Sequence, residues 1–202
     1  MNFEYTFKYI IVGNTYTGKT SLVNTFINNT ISYPYQSTIG VEFNSKIMKV
    51  DDKFVKVLIW DTAGLERFRS ITKSYYKRSS IALIVYDISD RDSFLNLEYW
   101  YHELTKNCNE NITIVIVGNK TDLEDRKVTY DEGYRFAEKY DLLFFETNKR
   151  DFVQISNIFE ESSRLVIREK VKLLNEQALK ETGILINHDN NNRKVSRWCC
   201  WF

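Results

Sequence analysis

Gly13-Asn14-Thr15-Tyr16-Thr17-Gly18-Lys19-Thr20 lies between an apolar run, Lys8 to Val12, and a helical pattern that opens at Ser21. The stretch fills every fixed position of G-x-x-x-x-G-K-[ST], a loop whose glycines let the backbone curl until successive N–H groups converge on phosphate oxygens. The helix that follows turns its positive dipole end toward the same point. Thr15, Tyr16, Thr17, Gly18, Lys19, Thr20 and Ser21 are the expected ligand-binding residues of this loop. Lys19 is placed to bridge the outer phosphates, and the Thr20 hydroxyl to ligate Mg²⁺. A glycine turn that only joins strand to helix fits the local pattern too, but it does not account for Gly-Lys-Thr in this register. A chain that binds a nucleoside phosphate is expected.

With 202 residues, the chain is long enough for one domain with a sizeable core, and no stretch rich in Pro, Gly or Ser divides its main body. A domain over residues 1–175 and a flexible tail over 176–202 are predicted. The formal net charge is +1, which gives no electrostatic footprint for nucleic acid. Of the three cysteines, Cys199 and Cys200 are adjacent at the end of the chain, which is no disulfide framework and fits a reducing compartment. Cys108 reads as an inert thiol. The N-terminus carries no secretory pattern, and no apolar run approaches a membrane span.

Taken in order, Tyr5 to Val12 reads as a buried strand, Ser21 to Asn28 as a short helix, and Ile31 to Gly40 as a loop holding the single proline, Pro34. Val41 to Val50 alternates like a half-exposed strand. Asp51-Asp52-Lys53 turns it back into Phe54 to Trp60. Strands then alternate with helices: Ile81 to Asp87, a helix over Ser93 to Lys106, Ile112 to Gly118, a helix over Asp131 to Tyr140, Leu142 to Glu146, and a long helix from Val153 that fades near Leu174 to Leu179. This alternation predicts an α/β fold of three layers, a six-stranded, mostly parallel sheet with helices on both faces. The near-continuous apolar strands Ile81 to Val85 and Ile114 to Val117 fit burial on both faces.

Five of the seven glycines, Gly13, Gly18, Gly40, Gly64 and Gly118, fall at strand ends or in loops that would ring one ligand. Asp61-Thr62-Ala63-Gly64 sits at a strand's carboxyl end, where open α/β sheets place ligands. It offers a carboxylate for a Mg²⁺ shell and a glycine N–H for a terminal phosphate. Asn119-Lys120-Thr121-Asp122 follows another strand, and Asp122 can accept two hydrogen bonds from the N1 and N2 edge of guanine, which adenine lacks. GTP is thereby favoured over ATP.

These boxes resemble those of the Ras superfamily of small GTPases, a P-loop fold, and the stretches Ile39 to Phe43, Lys56 to Asp61, Phe68 to Thr72 and Tyr75-Tyr76 are similar to those of its Rab branch. The resemblance covers residues 5 to 170 and the last four. It implies binding of GTP and GDP with Mg²⁺ held by Thr20, Thr38 and Asp61, and hydrolysis of GTP to GDP and phosphate. It also implies that Thr38 and Gly64 lose bonds when the γ-phosphate leaves, relaxing both switch loops, with Lys19, Thr38, Gly64 and residue 65 at the reacting phosphate. Tyr35, Asn148 and Lys149 would join the nucleotide contacts, and Ile39, Phe43, Trp60 and Tyr75 the effector surface. Aromatic clusters also serve packing alone.

Three departures from the family pattern stand out. Leu65 occupies the usual glutamine position, and leucine cannot orient an attacking water. Ile31 stands where an aromatic leans on the guanine face, and Glu146-Thr147-Asn148-Lys149-Arg150 replaces the middle of Glu-Thr-Ser-Ala-Lys. The tail resembles a prenylation signal at Cys199 and Cys200, with a terminal phenylalanine suited to geranylgeranyl transfer; an unmodified pair is the plain alternative. The implied partners are effectors, an exchange factor, a GTPase-activating protein, the prenylation and GDP-dissociation-inhibitor machinery, and a membrane through its lipid anchor, with no nucleic acid and a monomeric state. The implied place is the cytoplasmic face of an intracellular or plasma membrane, in exchange with the cytosol. Two roles stay open: a switch in vesicle traffic whose intrinsic hydrolysis Leu65 impairs, or a GTP-loaded docking platform that hardly hydrolyses. A P-loop ATPase or nucleotide kinase is disfavoured by Asn119 to Asp122 and the missing lid-like insertion.

Overall fold

The computed structural model describes residues 3–30, 38, 40–64, 74–109 and 111–181. Six strands form one sheet in the order β2-β3-β1-β4-β5-β6. They are β1 (Tyr5–Val12), β2 (Val41–Val50), β3 (Lys53–Thr62), β4 (Ile81–Asp87), β5 (Thr113–Asn119) and β6 (Leu143–Glu146). Only the β2–β3 hairpin is antiparallel; β1 pairs in parallel with β3 and β4, β4 with β5, and β5 with β6. The predicted mostly parallel sheet is therefore present. Every residue of β4 and β5 is buried, as their unbroken apolar runs require of strands covered on both faces.

Among the described residues, the helices of five or more residues are α1 (Lys19–Asn28), α2 (Arg91–Leu95), α3 (Leu97–Asn107), α4 (Tyr130–Lys139) and α5 (Phe152–Glu181). On the sheet face that carries Tyr9, the Phe159 ring of α5 lies 5.1 Å from Tyr9 and 3.7 Å from Phe26 of α1. On the face that carries Tyr86, Phe94 of α2 meets Tyr86 at 5.4 Å and Phe136 of α4 at 6.3 Å. Parity along the strands explains the division, since side chains alternate across a sheet. Helix ends are closed by local chemistry. Thr129 and Glu132 form a reciprocal capping box at the start of α4, and Asp90 accepts from the Asp92 N–H to open α2. Lys46 of β2 donates to the Phe26 carbonyl at the last turn of α1, with its ammonium 4.7 Å above the Phe26 ring.

Several boundaries shift by a residue, as β5 does from Ile112–Gly118 to Thr113–Asn119, and three differences bear on the site or the helix count. β3 runs on through Asp61 and Thr62, since those residues pair with Glu42 and Val41 across the hairpin, so Asp61 is held by the sheet itself. α1 starts at Lys19, inside the phosphate-loop motif. The single helix expected over Ser93 to Lys106 is two, with Asn96 between them at φ −80° and ψ 0°. By packing, the chain divides into two compact units, residues 1–166 and 167–202. The second is described only as the remainder of α5, where Lys172 and Glu176 form an i,i+4 pair. Among the described residues no helix is long and apolar enough to cross a membrane.

Candidate functional site

The phosphate-loop motif leaves β1 and returns as α1, so its residues lie at the carboxyl ends of parallel strands. Gly18 takes the left-handed conformation at φ 88°, and a Cβ there would overlap the Asn119 side-chain amide. Glycine is required on both counts. Tyr16 also lies in the left-handed region, at φ 64°, with its side chain 70% exposed; a bulky residue there is uncommon. Thr17 is fully buried and donates to the Asn14 carbonyl at 3.1 Å. Thr15, at the crown of the loop, is partly exposed.

Lys19 is only 5% exposed. Its ammonium donates to the carbonyls of Asn14 at 2.6 Å and Gly13 at 3.0 Å, and burial lowers its pKa to about 8 although Asp61 opposes the shift. Asp61 shows the mirror image: burial raises its pKa to about 6, against the Thr20 hydrogen bond and the charge of Lys19. Thr20 Oγ1 lies 2.5 Å from Asp61 Oδ2 and 2.7 Å from Thr38 Oγ1. Asp61 Oδ1 is buried with no hydrogen-bond partner among the described residues. Lys19 and Asp61 partly offset each other's charge, but both carry the cost of burial and Asp61 Oδ1 remains an unmet acceptor.

Oxygens from three separate segments thus meet beside that lysine. One carboxylate and two hydroxyls are hard donors, too few to enclose a cation, which fits Mg²⁺ completing its shell from phosphate oxygens and water. Among the described residues no group of three or more His, Cys, Asp or Glu offers an all-protein cage. Gly64 closes the same corner: a Cβ there would sit 2.5 Å from the Asn14 carbonyl carbon and the Thr15 nitrogen, so the second box abuts the phosphate loop by backbone alone. Ser21 follows in the first turn of α1.

Toward the other end of the site, Asn119 at the end of β5 is 3% exposed and donates to the Thr17 carbonyl at 2.8 Å, tying that box to the phosphate loop. Its Oδ1 accepts from the Lys120 N–H at 2.8 Å, and Lys120 stands at φ 67° with its ammonium 2.6 Å from Asp87 Oδ2. Asp122 is exposed, on the loop after β5. The departed last box still joins it: Asn148 donates to Thr121 Oγ1 at 3.0 Å, Thr121 N–H to the Thr147 carbonyl at 3.1 Å, and Thr25 of α1 to the Lys149 carbonyl at 3.2 Å.

Lys19, Thr20, Thr38, Asp61 and Gly64 are therefore brought together, and Asn119, Lys120 and Asn148 line up beyond the same loop. Phe43 and Trp60 meet at 4.9 Å on the hairpin, with Phe43 55% exposed and Lys8 4.7 Å above the Trp60 ring. Tyr75 is half-buried on the helical turn at residues 74–76. Ile31, Tyr35, Ile39, Leu65, Cys199 and Cys200 lie outside the described residues. Sequence reasoning missed Asp87, Asn14 and Trp100, whose indole N–H donates to Asn14 Oδ1 at 2.9 Å. Asp87 was findable as a carboxylate at the end of an apolar strand; nothing local marks Trp100.

Comparison with known proteins bears on the same residues. The Ras family model matches residues 8–168. The chain is 40% identical over 191 residues to the Ras-related protein Rab-2B of Dictyostelium discoideum, covering 94% of this chain and 91% of that protein. It is 42% identical over 168 residues to the Ras-related protein Rab-4A of Danio rerio, covering 83% and 79% respectively, and 41% identical to human Rab-4A. This chain is a Rab-type small GTPase of the Ras family. Members of that superfamily bind GTP and GDP, generally with Mg²⁺, and the donor set around Lys19 in this Rab-type chain fits such a ligand.

Proposed function

We propose that this chain is a guanine-nucleotide switch of vesicle traffic. The observation that carries the reading is the convergence of Lys19, Thr20, Thr38, Asp61 and Gly64 from separate segments on one point beside the phosphate loop. Lys19 would neutralise the outer phosphates, and the loop's N–H groups would hold them in line. Bound Mg²⁺ would supply counter-charge to the β- and γ-phosphate oxygens, held by Thr20, Thr38 and Asp61. Water would attack the γ-phosphorus as the bond to the β–γ bridging oxygen breaks, the water's oxygen and protons leaving with the phosphate or to solvent while GDP stays bound. Thr38 and Gly64 lose their γ-phosphate contacts at that moment, which is the switch.

Guanine selectivity rests on Asp122, with Asn119, Lys120, Asn148 and Lys149 framing the base and Tyr35, Thr15, Tyr16, Thr17, Gly18 and Ser21 completing the ligand contacts. Asp122→Asn tests it. The variant should lose GTP affinity by a large factor and gain xanthosine triphosphate, whose altered edge restores the pairing. Unaltered GTP affinity would remove the base-pocket assignment.

The effector surface is assigned to Ile39, Phe43, Trp60 and Tyr75, with an exchange factor, an activating protein and the GDP-dissociation-inhibitor machinery acting on the switches. A monomer is the expected state. Residues 1–175 form the nucleotide domain and 176–202 the tail. Geranylgeranyl groups on Cys199 and Cys200 would hold the protein on the cytoplasmic face of an intracellular or plasma membrane, since two chains anchor where one is marginal. Replacing both cysteines with serine should move it to the soluble fraction.

Leu65 favours a second reading, a mostly GTP-loaded docking platform with poor hydrolysis. The nucleotide that co-purifies from cells separates the two: GDP for a cycling switch, GTP for the platform.

A further inference from the structure

One residue of the phosphate loop is gripped from three sides. The Asn14 carbonyl accepts from Lys19 Nζ at 2.6 Å and from Thr17 Oγ1 at 3.1 Å, and its side-chain Oδ1 accepts from Trp100 Nε1 at 2.9 Å. The Asn14–Thr15 peptide is also the surface that Gly64 abuts, with room for no Cβ. Trp100 is 2% exposed in the first turn of α3, where Leu97 and Leu104 are both fully buried. The indole is therefore seated on a packed helix, not on a loop. With its side chain held by a rigid donor and its peptide packed against the Gly64 backbone, Asn14 has little freedom to turn.

We propose that Trp100 is a positioning residue for the phosphate loop: its bond to Asn14 orients the Asn14 carbonyl toward Lys19 and fixes the peptide that Gly64 packs against. The inference rests on the nucleotide reading above and deepens it. Gly64, with Thr38, is assigned to the outermost phosphate, and Lys19 to that phosphate and the one before it. An indole that fixes Lys19 and Gly64 through one peptide makes the site more selective for the triphosphate over the diphosphate. Were the bond lost, Lys19 would keep the Gly13 carbonyl and its burial, but its second acceptor would be free to turn. The cost falls most heavily on the γ-phosphate contacts that GTP makes and GDP lacks.

The test is a double-mutant cycle on nucleotide release from the full chain. Trp100→Phe keeps a large buried ring and removes the N–H; Asn14→Ala removes the acceptor. Release of a fluorescent GDP and of a fluorescent, non-hydrolysable GTP analogue is followed by stopped flow in Mg²⁺ for wild type, both single variants and the double variant. Each single variant should speed release of the GTP analogue about five- to ten-fold, as expected for one hydrogen bond in a buried site, and release of GDP by much less. The double variant should match the singles. A merely structural indole would instead lower the thermal midpoint and speed both nucleotides by one common factor. Additive effects, or an unchanged ratio of GTP-analogue to GDP release, overturn the proposal. Should Trp100→Phe fail to fold, the ratio measured on Asn14→Ala alone decides. A wild-type chain that retains neither nucleotide overturns the reading beneath it as well, whereas wild-type retention with an additive cycle overturns the positioning role alone.

Discussion

Thr20 Oγ1 lies 2.5 Å from Asp61 Oδ2, while the other oxygen of that carboxylate is buried without a partner among the described residues. Thr38 stands 2.7 Å from the same hydroxyl. A hydroxyl shared in this way satisfies half of a carboxylate that a divalent cation would satisfy whole. Thr20→Ala should therefore weaken retention of nucleotide only where Mg²⁺ takes part. Losing a charge-linked contact is worth roughly 1.5–3 kcal/mol, so GDP release in Mg²⁺ should speed by about ten- to a hundred-fold. In excess EDTA, wild type and variant should release at similar rates. Equal rates in Mg²⁺ would remove Thr20 from the metal shell.

Behind the site, the fully buried Tyr9 hydroxyl joins β1 to α5, 2.9 Å from both the Phe159 carbonyl and Ser162 Oγ and 2.7 Å from Ser163 Oγ. Burial pushes its pKa upward, so it stays a neutral donor at any working pH. Ser162 has further bonds to the Ile158 and Phe159 carbonyls and would keep them. Ser163 would be left inside the protein with its Tyr9 partner gone. Tyr9→Phe should destabilise the chain by about 1–3 kcal/mol, read as a lower urea midpoint at unchanged slope. A midpoint within experimental scatter of wild type would mean that the pair of serines re-bonds at no cost.

Cys108 gives the pH dependence. Burial raises its thiol pKa to about 11 from 9.0, with the charge of Lys8 opposing the shift. Because the thiolate is the reactive form, roughly one molecule in a thousand carries it at pH 8. Alkylation at Cys108, followed peptide by peptide to separate it from Cys199 and Cys200, should be slow at pH 8 and rise about tenfold per pH unit toward 11. The sign for stability follows from the same raised value: the contribution is whole below pH 9 and is lost as pH climbs through 11. Labelling at pH 8 as fast as that of an exposed cysteine would contradict the burial.

The sheet was legible in the sequence because each strand is a contiguous apolar run bounded by turn residues. β1, β2 and β4 begin and end where their patterns do. The break at Asn96 was not, because Phe94, Leu95 and Leu97 keep an apolar rhythm with no glycine or proline between them. The same contrast holds at the site. Its boxes are local strings whose chemistry survives being read one at a time. The ties between them are not strings: Trp100 reaches Asn14, and Lys120 reaches Asp87, only once β4, β5 and α3 have been laid side by side.

Leu65 carries the sharpest functional expectation. Phosphoryl transfer depends on positioning and charge stabilisation rather than on covalent help from the protein, so a water that no side chain holds in line should react orders of magnitude more slowly. Lys19, Thr20 and Asp61 are untouched by the departure, and nucleotide affinity should survive it. Glu66 and Arg67 follow Leu65 in sequence, but for either to hold the water in a single geometry would carry the entropic cost of ordering a long side chain. An activating protein that brings both an arginine and a glutamine in trans could supply what residue 65 lacks. Single-turnover hydrolysis by the purified protein should accordingly be slow, and Leu65→Gln should accelerate it with GTP affinity unchanged. Equal rates for the two proteins, unaided, would show that another group already orients the water and that residue 65 does not limit the reaction.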